Sequence, residues 1–103
     1  MTILTNDLIE EADKKKLNGE HGEAIEICEK ILHQDLECVE AYEEIGDNYL
    51  SLRKFEKAMK ALNRAINLDP SSPNGHYLLG FTHSALSNWH ISVDPLETAD
   101  YLQ

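Results

Sequence analysis

Histidine and cysteine are the residue types in this chain best suited to chemistry, so their spacing comes first. His76, His83 and His90 recur every seven residues. That spacing puts them near one side of a helix only if the helix runs on through Asn88. His21 and His33 lie elsewhere, and there is no H-x-x-x-H pair or Cys–His cluster of the kind that holds zinc. Serine, histidine and aspartate are all present, but nothing in the spacing brings them together, and there is no glycine-rich phosphate loop. Cys28 and Cys38 fit neither a disulfide framework nor a metal motif, and Cys28 falls on an apolar helical face, as a reduced core thiol would. The expectation is a protein with no catalytic residues, no metal and no cofactor.

Carboxylates are the other candidates. The 103 residues carry 19 acidic against 9 basic side chains, a net charge of −10. Such a surface repels nucleic acid and anionic lipid, and favours a basic peptide or protein partner. Glu40, Glu43 and Asp47 fall on one face of a helix, opposite much of the apolar stripe from Ile45 to Tyr49. Met1 to Glu10 shows neither a basic leader nor a long apolar run, and no stretch reaches the length of a membrane span. A cytoplasmic protein is expected.

The elements that would position these residues follow from a 34-residue step. Gly46 steps forward to Gly80 and back to Ala12, and Ile45 steps to Leu79. Ala58 steps to Ala24 and Ser92, Leu62 to Cys28 and Leu96, and Ala65 to Ile31 and Ala99. Small residues recur where helices must approach, and larger apolar ones where they fill the space between. Val39 to Ser72 is the best-formed unit. It contains Tyr42, Ile45, Gly46 and Tyr49, then Ala58, Leu62 and Ala65, and closes at Pro70. This pattern resembles the tetratricopeptide repeat, with its W-x-x-L-G-x-x-Y, A-x-x-x-F and P signature on a 34-residue period. The resemblance covers nearly the whole chain and implies an all-α fold: a right-handed α-solenoid of antiparallel helix pairs, one domain over 1–103, with repeats at about 5–38, 39–72 and 73–103.

Local signals refine the units. Thr5 or Asn6 can cap a first helix that Asp7, Glu10 and Glu11 suit electrostatically. Lys14 to Lys16 complement its C-terminal dipole, and Asn18-Gly19 ends it. Glu11 and Lys15 stand where the family has packing residues, as an outer helix would. A turn is expected at Leu52 to Lys54, and Ser72-Pro73 reads as an N-cap followed by proline at the first helical position. His76 and His83 take the repeat positions of Tyr42 and Tyr49, so they are expected to be polar-tipped packing residues. Gly80 is expected at a close crossing. Beyond Asn88, Trp89 replaces Phe55, Ser92 replaces Ala58, and Pro95 falls inside the expected second helix. The reading is a kinked or late-starting last helix, with Trp89 to Val93 irregular and a fresh start at Asp94-Pro95-Leu96-Glu97.

The resemblance also implies a site. In tetratricopeptide proteins the first helix of each pair lines a concave groove. Carried onto this chain, that groove takes Asn6, Ile9, Glu10, Asp13, Lys16 and Leu17, then Glu40, Glu43, Glu44, Asp47, Leu50 and Ser51. The third unit adds Asn74, Tyr77, Leu78, Phe81, Ser84 and Ala85. The groove is then acidic over its first two units and apolar in its last, and suits a peptide or helix with basic and bulky apolar ends. Family members that clamp the C-terminal carboxylate of heat-shock proteins use lysine, asparagine and arginine where this chain has Ile9, Asp13, Glu44, Asn74 and Leu78, so that activity is not expected. The last unit ends short of a full period with no polar capping helix after it, which favours a longer array. Two alternatives accompany the groove reading. One is self-association, as a homodimer through a C-terminal end carrying Trp89, Leu96 and Leu102. The other is a role like that of the small acidic secretion chaperones built from these repeats.

Overall fold

The computed structural model describes the backbone of residues 3–92 and the side chains of residues 6–87. Five helices follow one another: α1 (Ile3–Leu17), α2 (His21–Gln34), α3 (Val39–Ser51), α4 (Phe55–Leu68) and α5 (Pro73–Ser92). Three-residue turns at 18–20 and 52–54 fold α1 back on α2 and α3 back on α4. Four-residue turns at 35–38 and 69–72 connect one pair to the next. Each helix packs chiefly on its chain neighbours, which is the pattern of a helical-repeat solenoid.

The turns are built in matched pairs. After α1 the Glu20 N–H reaches the Lys15 carbonyl and the Gly19 N–H reaches that of Lys16. After α3 the Lys54 N–H reaches Tyr49 and the Arg53 N–H reaches Leu50. Both are Schellman endings, which need one residue in the left-handed region. Gly19 takes it at φ 82°, and Arg53 takes it at φ 62° despite carrying a Cβ. The turns between pairs use Asp35 and Asp69, 34 residues apart. Each carboxylate accepts the backbone N–H two residues on, from Glu37 at 3.0 Å and Ser71 at 3.2 Å.

Two apolar clusters hold the stack. Ala12, Ile27, Cys28, Ile31, Cys38, Ala41, Ile45 and Ala61 knit the first pair onto the second. Leu50, Ala58 and Leu62, with Phe55, Leu78 and Leu79 against them, knit the second pair onto α5. Ile31 and Leu62 are completely buried, contributing about 2 kcal/mol each. Burial pushes the Cys28 thiol up to about 12, so it sits as an inert core group.

Three expectations require correction. The first helix begins at Ile3, so Thr5 and Asn6 lie within it. A capping residue permits a helix start without forcing one, and nothing between Ile3 and Asn6 breaks a helix. Trp89 to Ser92 is helical, because α5 runs on unbroken. Ser87, the counterpart of Gly19 and Arg53, stays in the helix, and no glycine or proline lies between it and Ser92. Gly80 is exposed, with no described atom within 4 Å of where a Cβ would stand. The second helix expected opposite Gly80 lies outside the described residues. His76 and His83 are exposed, and His76 contacts the Pro70 carbonyl at 2.7 Å. The expected turn at Asp94-Pro95 and the packing of Leu96, Ala99 and Leu102 lie outside the described residues, as does the side chain of Trp89.

Gly46 does sit at a close crossing. A Cβ there would stand 2.6 Å from both Cγ and Cδ2 of the fully buried Leu62. Gly46→Ala gains about 1 kcal/mol of helix propensity but must displace α4, so a net loss of roughly 1–3 kcal/mol is expected, and more for Gly46→Leu. Gly22, with nothing within 4 Å, should show the opposite sign on change to alanine. Arg53→Gly relieves left-handed strain and should stabilise by up to about 1 kcal/mol. Urea unfolding of the variants checks all three signs.

Candidate functional site

α1, α3 and α5 present neighbouring faces, and the sequence-predicted groove residues sit on them. Lys16 near the end of α1 points its ammonium at α3. It lies 3.3 Å from Glu44 Oε1 and 3.2 Å from Asp47 Oδ2, with Asp13 at 3.8 Å. The run Lys14 to Lys16 therefore does more than complement a dipole. Lys15 pairs with Glu20 and Glu23, and Lys16 ties α1 to α3.

Three carboxylates around one ammonium leave excess negative charge. Burial is the largest influence on Glu44 and pushes its carboxyl up to about 7. Asp13 adds to the rise and Lys16 opposes it. Its Oε2 is buried without a hydrogen-bond partner among the described residues. Burial draws the Lys16 ammonium down, but Glu44 and Asp47 outweigh it and its pKa rises.

Other groove acids are committed to structure. The Ser72 hydroxyl donates to the Glu43 carboxylate, while Ser72 Oγ accepts the Gly75 N–H at 3.0 Å as the N-cap of α5. Glu43 thus helps fix where α5 begins. Glu40 and Asn74 are exposed. Asp47 lines a groove of about 260 Å³ with Leu50, Ser51, Tyr77, Leu78 and Phe81. The structure therefore brings together Asp47, Tyr77, Leu78 and Phe81 from the predicted set, and holds Glu44 at the α1 side. Tyr77 is 72% exposed and Phe81 55%, one helical turn apart.

Sequence reasoning missed Asn48. It is completely buried. Its Nδ2 donates to the Glu44 carbonyl at 2.7 Å, so its Oδ1 must accept from His21 Nδ1 at 2.8 Å. That bond ties α2 to α3. The signal was available in the 34-residue step: Asn48 leads to Thr82, also completely buried, whose hydroxyl likewise donates to a carbonyl four residues back. Among the described residues no group of three or more His, Cys, Asp or Glu side chains is placed to hold a metal ion. No described helix is long and apolar enough to cross a membrane.

A stack of antiparallel helix pairs with a side-chain-lined groove defines a helical-repeat scaffold. Residues 46–87 match the family described as TPR repeat, which supports a tetratricopeptide repeat assignment for the stack. Repeats of this family generally mediate protein–protein interaction. No curated protein matches the chain significantly.

The Glu44 site gives the stability a pH dependence. The carboxyl titrates near 4.5 when unfolded and near 7 when folded. Between those values the folded state keeps a proton that the unfolded chain releases, so this contribution is present at low pH and is lost as pH rises to about 7. Comparing wild type with Glu44→Gln isolates it from the histidines. From about pH 5 to about pH 8 the wild type should lose up to about 3 kcal/mol more than the variant, read by urea unfolding. Parallel profiles would contradict the assignment.

Proposed function

We propose that the chain binds a segment of a partner protein in the groove between α3 and α5. The reading rests chiefly on Tyr77 and Phe81, two large side chains that folding leaves in water beside Asp47. Aromatic anchors carry much of the energy at protein interfaces, and nearby charge steers and selects. The preferred ligand is a peptide with a bulky apolar residue for the Tyr77–Phe81 end and lysine or arginine toward Asp47 and Glu40. Lys16 offsets part of the acidity at α1, so the basic preference is centred on α3. Lys16 and Asp13 do not amount to a carboxylate clamp, because the carboxylates around them would repel an acidic C-terminus. The role is that of a non-catalytic scaffold, and the two free thiols suit a reducing compartment such as the cytoplasm.

A peptide array probed with wild type and with the Tyr77→Ala/Phe81→Ala double variant tests the groove. Capture of basic-apolar peptides should weaken at least about tenfold in the double variant, whose exposed changes leave the fold intact. Capture indifferent to those changes would move the binding site elsewhere.

A further inference from the structure

The opposite side of α3 carries a second surface of different chemistry. At 100° per residue, Tyr42, Ile45 and Tyr49 lie roughly opposite Glu40, Glu44 and Asp47. They form the floor of a groove of about 280 Å³ whose wall is a stripe of Lys57, Lys60 and Arg64 on α4. The two helices run antiparallel, so Lys57 stands over the Tyr49 ring and Arg64 over the Tyr42 ring, each 5.7 Å from the centroid. An apolar strip and a cationic strip, each spanning seven residues or about 10 Å, therefore lie side by side.

The charge here runs against the rest of the chain. Residues 53–64 hold five of the nine basic residues and a single acid, Glu56. Among the described residues every ion pair goes to Lys15 or Lys16, and none reaches this stripe. Lys57 and Arg64 lean on aromatic faces, which narrows their rotamer freedom before any partner arrives. Their outward donors stay open to carboxylates, and a guanidinium can grip one with two parallel bonds.

We propose that this groove docks an acidic amphipathic helix of a partner protein. Apolar residues at i, i+3 and i+7 lie along Tyr42, Ile45 and Tyr49, and glutamates or aspartates on one flank meet Lys57, Lys60 and Arg64. Two helical turns of the ligand match the length of both strips. A second copy of this chain is the poorer occupant, because two bodies of net charge −10 repel each other. The surface lies across α3 from the Tyr77–Phe81 groove, so the two proposals stand or fall separately.

Fluorescence anisotropy on the full chain tests the docking. The probes are a labelled peptide of about 16 residues, with leucine at i, i+3 and i+7 and glutamate on one flank, and its lysine-for-glutamate counterpart. The acidic peptide should bind, weakening as salt rises, and the basic one should bind this surface at least about tenfold more weakly. Lys57→Gln/Lys60→Gln/Arg64→Gln should lose the acidic peptide by at least about tenfold with an unchanged circular dichroism spectrum, while Tyr77→Ala/Phe81→Ala should bind it as wild type does. Lys60→Gln alone, which disturbs no cation–ring contact, should cost about threefold and serves if the triple variant misfolds. No binding of the acidic peptide, or equal binding by the glutamine variants, would overturn the proposal. So would a self-association, seen by sedimentation velocity, that the glutamine variants abolish.

Discussion

The crossing of α3 over α4 at Gly46 and Leu62 is the contact on which the rest of the structure depends. Leu62 fills the space that a side chain at Gly46 would need, and it is sealed from water there. That fit sets the distance between the two helices, and hence the angle at which Asp47 and Leu50 face α5 on one side and Tyr42 and Tyr49 face Lys57 and Arg64 on the other. A wider crossing would spread both grooves at once. The alanines at 12, 24, 41, 58 and 65, all fully buried, extend the same constraint along the stack.

Polar groups set the register between units. Asn48 joins α2 to α3 through His21, Lys16 joins α1 to α3, and Glu43 reaches Ser72 at the start of α5. Groove charge is therefore partly used as mortar. Glu44 shows the tension most plainly: its carboxyl is half withdrawn from water where it meets Lys16, and its proton affinity rises in consequence.

The fold was legible because the repeat writes each packing position more than once. Gly46, Ala58, Leu62 and Ala65 each had counterparts one period away, so a single ambiguous residue mattered little. The site was legible only in outline. Helical spacing placed Glu40, Glu43 and Asp47 on one face and the resemblance added Glu44, but neither told which of them would be claimed by Lys16 or Ser72, since those partners sit 28 to 31 residues away in sequence. The third unit misled for a related reason. Its pattern predicts an irregular stretch from Trp89 to Val93, yet a Schellman ending needs a residue content in the left-handed region, and Ser87 stays helical. Arg53 does adopt that conformation, with its N–H on the Leu50 carbonyl.

Asp35 and Asp69 define a seam. Each ends one helix pair, each folds its own carboxylate onto the backbone two residues later, and each hands the chain to the next pair after the same short turn. A segment excised from one seam to the other carries its whole connection with it. Duplicating or deleting 35–68 would therefore rejoin the chain through a turn of unaltered shape, leaving only the faces of the neighbouring helices to be matched. The architecture grows or shrinks in steps of one unit, and ligand reach would scale with the number of units.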